Sequence, residues 1–193
     1  MTVWHWVRHG PTHEKTFVGW RDVPADLSDT GLIDRVRAHL PDKALLVSSD
    51  LVRARETALA LQGPGHRLLA PHSDLREIHF GAWDGMHFKD VAARDPELSR
   101  AFWEKPGDVQ APGGESWNQT RARVDALVDE LNTQHPQAHI IAVAHFGVIL
   151  TQVQRALGVT AYEAMAHKID NISVTRLTHE SGIWQAAQIN HVP

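Results

Sequence analysis

Residues 2–12 read TVWHWVRHGPT, and this stretch decides how the rest of the chain is interpreted. Its first six residues are mostly β-branched or aromatic, which predicts a strand. The strand would deliver Arg8 and His9 to its carboxyl end, the edge at which open α/β sheets bind ligands. A guanidinium matches phosphate oxygens, and a neutral imidazole is a nucleophile if a backbone carbonyl holds its other nitrogen. With Gly10, which lets the backbone approach an anion, and the hydroxyl of Thr12, the run predicts a phosphate site.

Composition limits the classes of protein that the chain can belong to. It has 193 residues, a hydrophobic content of 42%, a net charge of -4 and no cysteine. The length fits one domain over residues 1–193. The charge argues against nucleic acid or an anionic membrane as partner, and the lack of cysteine removes disulfides, thiolate nucleophiles and Cys-ligated metals. No apolar run approaches ~20 residues and no signal-peptide pattern is present, so we expect a cytoplasmic protein.

Hydrophobic periodicity alternates between strand and helix along the chain, which predicts an α/β fold with a mostly parallel sheet. Helices are predicted from the cap at 28–31 to residue 40, and at 51–61, 116–134 and 148–157. Strands are predicted at 2–7, 44–49, 66–70 and 139–144, followed by an antiparallel pair at 171–178 and 184–189. Residues 80–114 lack a long period, and we interpret them as an insertion with short helices that forms one wall of the site.

Ionisable residues lie at several of the predicted strand ends. Arg53 falls in the first turn of a helix, His145 ends an apolar strand, and Glu77 is expected just after a strand. If the sheet is parallel, these turns share one edge with His9, and the side chains converge there. Taken singly, each has an ordinary interpretation: Arg53 as a solvated helix residue, His145 as a helix cap or a partner of a buried carbonyl, and Glu77 as the ion-pair partner of Arg76 or Arg8.

Fourteen histidines raise the hypothesis of a metal site. His5, His9 and His13 are four residues apart, but they fall in a strand and a loop, where that spacing does not converge. Neither a His-Glu-x-x-His motif nor a compact His-x-His cluster is present. We therefore expect no metal and interpret most of the histidines as surface residues.

The chain resembles the histidine phosphatase superfamily, also called phosphoglycerate mutase-like, over nearly its whole length. The matching blocks are RHGPT (8–12), GWRDVP (19–24), LSDTG (27–31), SSDLVRA (48–54), LREIHFGAWDG (75–85), GES (114–116) and VAHFG (143–147). The resemblance implies a three-layer α/β/α fold around a mostly parallel sheet. It also implies a phosphohistidine mechanism that needs no metal or other cofactor.

The resemblance further implies a role for each matching residue. His9 would be the nucleophile, Arg8 and Arg53 the phosphate clamp, with Thr12 at the phosphate, and His145 a second imidazole on the phosphoryl group. Glu77 would protonate the leaving oxygen and then activate water, which requires a pKa raised by burial. Side-chain charge of this kind can support phosphoryl transfer without a metal.

Two positions depart from the family pattern: Lys15 stands where asparagine is frequent, and Phe146 where a small glycine is common. Both bear on substrate choice. The chain is short for a mutase and has four cations within residues 86–112, so we favour a phosphatase of a small phosphomonoester. The block at 75–85 is similar to α-ribazole phosphatases. Three alternatives stay open: a cofactor-dependent phosphoglycerate mutase, a non-catalytic phosphate-binding module and a metal-dependent hydrolase. A homodimer is also left open.

Overall fold

A computed structural model describes residues 1–193. Six strands form one sheet: β1 (Thr2–Arg8), β2 (Ala44–Ser48), β3 (His66–Leu68), β4 (His139–Ala144), β5 (Val174–Glu180) and β6 (Ile183–His191). Their order across the sheet is β3-β2-β4-β1-β5-β6. The first four strands are parallel to one another, and β5 and β6 are antiparallel. The predicted mostly parallel sheet with a closing antiparallel pair is therefore confirmed.

Seven α-helices accompany the sheet: α1 (Thr30–His39), α2 (Val52–Leu61), α3 (Phe88–Arg94), α4 (Pro96–Glu104), α5 (Trp117–Gln134), α6 (Phe146–Leu157) and α7 (Ala161–Met165). Two short 3-10 helices span Ser73–Leu75 and Gly81–Trp83. Two separate apolar cores of 27 and 12 buried residues flank the sheet, the smaller formed with α1 and α2 and the larger with α5 and α6. The molecule thus has the expected three layers. None of its helices is both long enough and apolar enough to cross a membrane.

Local sequence signals explain the helix boundaries. Asp29 caps α1 by accepting a hydrogen bond from the backbone N–H of Leu32 at 2.9 Å. Ser116 begins α5 with a reciprocal capping box to Gln119. Gly158 ends α6 in the left-handed conformation with a φ of 65°, which favours glycine.

Several predicted boundaries were wrong. α6 begins at Phe146 rather than Val148, because His145 stays extended and the helical turn starts directly after it. β5 begins at Val174 rather than Asn171, since Ile172 has a φ of 58° that interrupts an extended strand. Glu77 does not follow a strand, because β3 ends at Leu68 and a 3-10 helix intervenes. α7 was not predicted.

Candidate active site

His9 lies directly after β1 and is held by its own neighbourhood. Its ring Nδ1 lies 2.7 Å from the carbonyl oxygen of Gly10, and its backbone carbonyl accepts a hydrogen bond from Asn171 at 2.8 Å. A carbonyl can only accept, so Nδ1 carries the proton and Nε2 keeps a free lone pair. Burial lowers the pKa of His9 to about 3, and the nearby charge of Arg53 acts in the same direction. The imidazole is therefore neutral at physiological pH.

The second imidazole, His145, lies between β4 and α6. It is fully buried, and its ring centroid lies 5.0 Å from that of His9. Neither of its ring nitrogens has a hydrogen-bond partner, and its side chain does not cap the following helix. Burial lowers its pKa well below the usual value, with a further contribution from Arg53. His145 thus holds one unpaired N–H donor beside His9, and the interpretation as a cap or carbonyl partner was wrong.

Arg8 and Arg53 are both used partly for structure. Arg8 donates from Nη1 to the carbonyl of Ile169 at 2.7 Å. Arg53, which is 1% exposed, donates to the carbonyls of Gly19 and Arg21 at 2.7 and 2.9 Å. In each arginine the Nε atom is buried without a partner. The interpretation of Arg53 as a solvated helix residue was therefore wrong.

Buried polar atoms without hydrogen-bond partners are concentrated in the arginines and the second imidazole near His9. Of the nine buried side-chain nitrogen and oxygen atoms without a hydrogen-bond partner, four belong to Arg8, Arg53 and His145. A buried polar atom without a partner costs about 1–3 kcal/mol, and such atoms are rare in folded proteins. Positive charge from both arginines also lowers the pKa of His9. The arrangement is suited to an anion bound next to the imidazole.

Glu77 is buried, and its carboxylate is oriented by the backbone. Its Oε1 accepts hydrogen bonds from the backbone N–H groups of Gly147 and Ile78, both at 3.0 Å. Burial raises the pKa of Glu77, although these two N–H groups, Arg53 and Arg8 act in the opposite direction. The alternative interpretation, an ion pair with Arg76 or Arg8, was wrong, because Arg76 pairs with Asp50 at 2.6 Å and Arg8 donates to the carbonyl of Ile169. The net effect is a raised pKa, which favours the protonated form of the Glu77 carboxyl group.

The loop that carries Glu77 is held by residues that the sequence analysis did not single out. Arg123 in α5 donates to the carbonyl of Glu77 at 2.9 Å and to that of Asp74 at 2.6 Å. It is fixed by an ion pair with Glu115 at 2.8 Å. The indole N–H of Trp20 donates to the same Glu77 carbonyl at 2.8 Å. Trp20 and Glu115 fall in quoted sequence blocks, whereas nothing local marks Arg123.

A cavity of about 290 Å3 opens beside His9, and the buried side chains of Arg53 and His145 lie outside its lining. Arg8, His9, Thr12 and Glu77 belong to its lining. The remaining lining residues lie in the loop after β1, in the predicted insertion and at the start of α6: Glu14, Thr16, Phe17, Val18, Phe80, Phe88, Trp103 and Phe146. The departure at Phe146 therefore places a ring in the cavity, with the Arg8 guanidinium 5.4 Å from its centroid. Lys15 is exposed and does not line the cavity.

No three His, Asp or Glu side chains lie close enough together to hold a metal ion. Three of the fourteen histidines, His5, His9 and His145, are buried. Two of these three are the imidazoles of the site.

The profile of the histidine phosphatase superfamily (branch 1) matches residues 5–192. The chain belongs to this superfamily.

Three relatives show the range of the similarity. The chain is 35% identical over 140 residues to the bifunctional protein Rv2228c of Mycobacterium tuberculosis, covering 72% of the chain and 36% of that protein. It therefore spans little more than a third of that relative. It is 31% identical over 154 residues to a metal-independent phosphoserine phosphatase of Arabidopsis thaliana, covering 74% of the chain and 63% of the relative. It is 33% identical over 164 residues to a glucosyl-3-phosphoglycerate phosphatase of Mycolicibacterium vanbaalenii, covering 79% and 72%.

Solved structures share the fold. The mycobacterial glucosyl-3-phosphoglycerate phosphatase Rv2419c superposes with a TM-score of 0.85 at 27% identity, covering 99% of both chains. A putative α-ribazole-5'-P phosphatase from Escherichia coli superposes with a TM-score of 0.81 at 20% identity, covering 98% of this chain and 96% of that one. At that identity the similarity shows the fold alone. The resemblance to the superfamily is confirmed, and phosphatases of three different substrates are among the similar proteins.

Proposed function

We propose that the protein is a phosphomonoesterase that hydrolyses a small phosphorylated metabolite through a phosphohistidine on His9, without a metal. The observation that carries the proposal is the fixed tautomer of His9. Because Nδ1 donates to the Gly10 carbonyl, Nε2 is the nitrogen left to attack phosphorus. A module that only binds phosphate has no need of a buried, neutral imidazole with a free lone pair.

Phosphoryl transfer would proceed in two steps. His9 Nε2 forms a bond to phosphorus while the bond to the leaving oxygen breaks, and the carboxyl group of Glu77 gives its proton to that oxygen. Glu77 then takes a proton from water, the oxygen of that water bonds to phosphorus, and the bond from phosphorus to Nε2 breaks. His9 returns to its neutral form and Glu77 to its protonated form. The raised pKa of Glu77 supports this double use as acid and base.

The role proposed for the unpaired donors is to bind the phosphoryl oxygens. Arg8 Nε, Arg53 Nε and one ring nitrogen of His145 are buried donors that the protein itself leaves without an acceptor. Donors fixed before the reaction stabilise the charge of the transition state more effectively than water does, because they need no reorganisation. Arg8 and Thr12 line the cavity, and the hydroxyl of Thr12 would supply a further donor there.

The test is hydrolysis by chelator-treated protein. We expect phosphate release from a phosphomonoester panel that includes α-ribazole 5'-phosphate, phosphoserine and 3-phosphoglycerate, with no loss after chelation. His9→Ala is expected to lower turnover by ~10³-fold or more. His167→Ala serves as the matched control, since His167 is a half-buried histidine that does not line the cavity. Isomerisation of 3-phosphoglycerate would identify a mutase instead, and chelator-sensitive turnover a metal-dependent hydrolase.

A further inference from the structure

The part of the cavity beyond the phosphate-binding groups is mainly aromatic. Five rings line it, which we call the aromatic wall: Phe17, Phe80, Phe88, Trp103 and Phe146. Four of them pack against one another, with ring centroids of Phe17 4.9 Å from Phe80, 4.3 Å from Phe88 and 6.0 Å from Trp103. The wall is therefore a preformed surface, and Phe88 remains 59% exposed at its rim.

The charged residues that line the cavity give a second indication of which leaving group it can accept. Apart from Arg8 at the phosphate end, no arginine or lysine lines it. Two acids line it: Glu77 lies among the groups at the phosphate end, and Glu14 accepts hydrogen bonds from Arg21 and Thr16, both at 3.2 Å. Arg21 is also bound to Asp84 at 3.0 Å, so its charge is shared between two carboxylates. A negatively charged leaving group would find no free cation here.

Lysines close in sequence do not alter this balance. Lys15 follows Glu14, and Lys89 follows Phe88, but both are exposed and neither lines the cavity. The polar groups that remain are the hydroxyls of Thr12 and Thr16. A hydroxyl can exchange a hydrogen bond with a neutral group. It carries no charge, however, so it cannot compensate the loss of hydration of a buried carboxylate.

Resting on the proposed phosphatase function, we infer that the substrate is a phosphomonoester whose leaving group is uncharged and aromatic. A flat apolar group would stack on the aromatic wall and lose its contact with water, which favours binding. A carboxylate in the same place would lose its hydration beside Glu14 without gaining a cation. The wall therefore selects against phosphorylated hydroxy acids. Phosphoserine and glucosyl-3-phosphoglycerate, the substrates named for two relatives, both carry a carboxylate.

Three synthetic esters separate charge from size. Ethyl phosphate lacks a ring, 2-phenylethyl phosphate adds one, and 2-(4-carboxyphenyl)ethyl phosphate adds a carboxylate to that ring. All three have alkyl leaving oxygens, so protonation by Glu77 is required similarly in each. We expect kcat/KM for 2-phenylethyl phosphate to exceed that for each of the other two by at least about 10-fold.

A positive charge placed on the wall should reduce or remove the preference for the uncharged ester. Phe88 is exposed in the first turn of α3, so the substitution Phe88→Lys should be tolerated by the fold. In this variant we expect kcat/KM for the carboxylated ester to increase about 10-fold relative to that for 2-phenylethyl phosphate. Tyr162→Lys is the matched control, because Tyr162 is an aromatic residue with 61% exposure outside the cavity. It should leave the ratios of the three esters unchanged.

The outcomes distinguish the inference from the function on which it rests. Hydrolysis of all three esters at equal kcat/KM, or preference for the carboxylated one, would overturn the inference and leave the phosphatase intact. Absence of hydrolysis of any of them, with no phosphohistidine formed, would overturn the proposed function itself.

Discussion

Gly147→Ala should damage the reaction without removing a catalytic group. A Cβ at this position would lie 2.5 Å from Oε1 of Glu77 and 2.8 Å from Cδ1 of Ile78, whereas ordinary van der Waals contact begins at 3.4 Å. The carboxyl group must therefore move by about an ångström, and a displacement of that size can cost about 10²-fold in rate. It would also weaken the hydrogen bond from the Gly147 N–H that orients Oε1.

The cost to stability follows from the same crowding. Forcing an extra carbon into a packed site destabilises by about 1–3 kcal/mol. For a chain of this size each kcal/mol lowers Tm by roughly 2–4 °C, so we expect a decrease of about 2–12 °C. The matched control is Gly31→Ala, at the second residue of α1 as Gly147 is at the second residue of α6. Its added Cβ would meet Arg35 and Asp29 at 3.6 and 3.7 Å, which is ordinary contact.

The assay compares an alkyl phosphate with p-nitrophenyl phosphate, whose leaving group departs without a proton. Gly147→Ala should lose about 10²-fold in kcat/KM on the alkyl ester and much less on the nitrophenyl ester. Gly31→Ala should match the unmodified protein on both. If Gly147→Ala hydrolysed the alkyl ester as fast as Gly31→Ala does, the positioning of Glu77 by Gly147 would be refuted.

Three further predictions concern the same groups. Glu77→Gln should lower kcat/KM for alkyl esters by about 10²–10⁴-fold and for p-nitrophenyl phosphate far less, because kcat/KM reports the step that forms phosphohistidine, and equal losses in kcat/KM would contradict the acid role. Vanadate or phosphate at about 100 times its Kd should stabilise the fold by roughly 2.7 kcal/mol because it pairs the free donors of Arg8, Arg53 and His145, and an unchanged melting curve would contradict this. The pKa of His5 is lowered to about 4, first by burial and then by His139. In the unfolded chain this pKa is near 6.5, so the unfolded chain takes up the proton at a higher pH than the folded protein does. The contribution of His5 to stability is therefore complete above pH 6.5 and is lost as the pH falls towards 4. Urea unfolding at pH 7 and pH 5 should show that His5→Gln reduces the pH dependence by about 2 kcal/mol, and an unchanged difference would contradict the assignment.

The sheet could be predicted because its strands carry their signal locally. β1, β2 and β4 are short apolar runs, and β4 was predicted with the observed bounds. Parallel pairing then brings the carboxyl ends of β1 and β4 side by side, which explains why His9 and His145 meet. The short helix α7 lacks a long period, but its Thr160 and Glu163 form a capping box that was a usable signal.

The supporting contacts could not be predicted, since they join residues far apart in sequence. Arg53 is surrounded by charged neighbours and has the local pattern of a solvated helix residue, yet it is buried because it holds two carbonyls more than thirty residues earlier. Arg123 resembles any polar residue of α5, and its partners at Asp74 and Glu77 lie in a distant loop. Tertiary contacts of this kind produce no periodic pattern in the amino-acid sequence.

The most direct test of the proposed mechanism is the identity of the phosphorylated atom. The protein would be mixed with a rapidly reacting phosphomonoester, quenched in alkali, where phosphohistidine persists, and examined by peptide mapping and phosphorus NMR. The hydrogen bond from Nδ1 of His9 to the Gly10 carbonyl predicts phosphate on Nε2 of His9, formed and lost at the rate of turnover. Turnover with no phosphorylated histidine, or with phosphate on Nδ1 or on another residue, would contradict it.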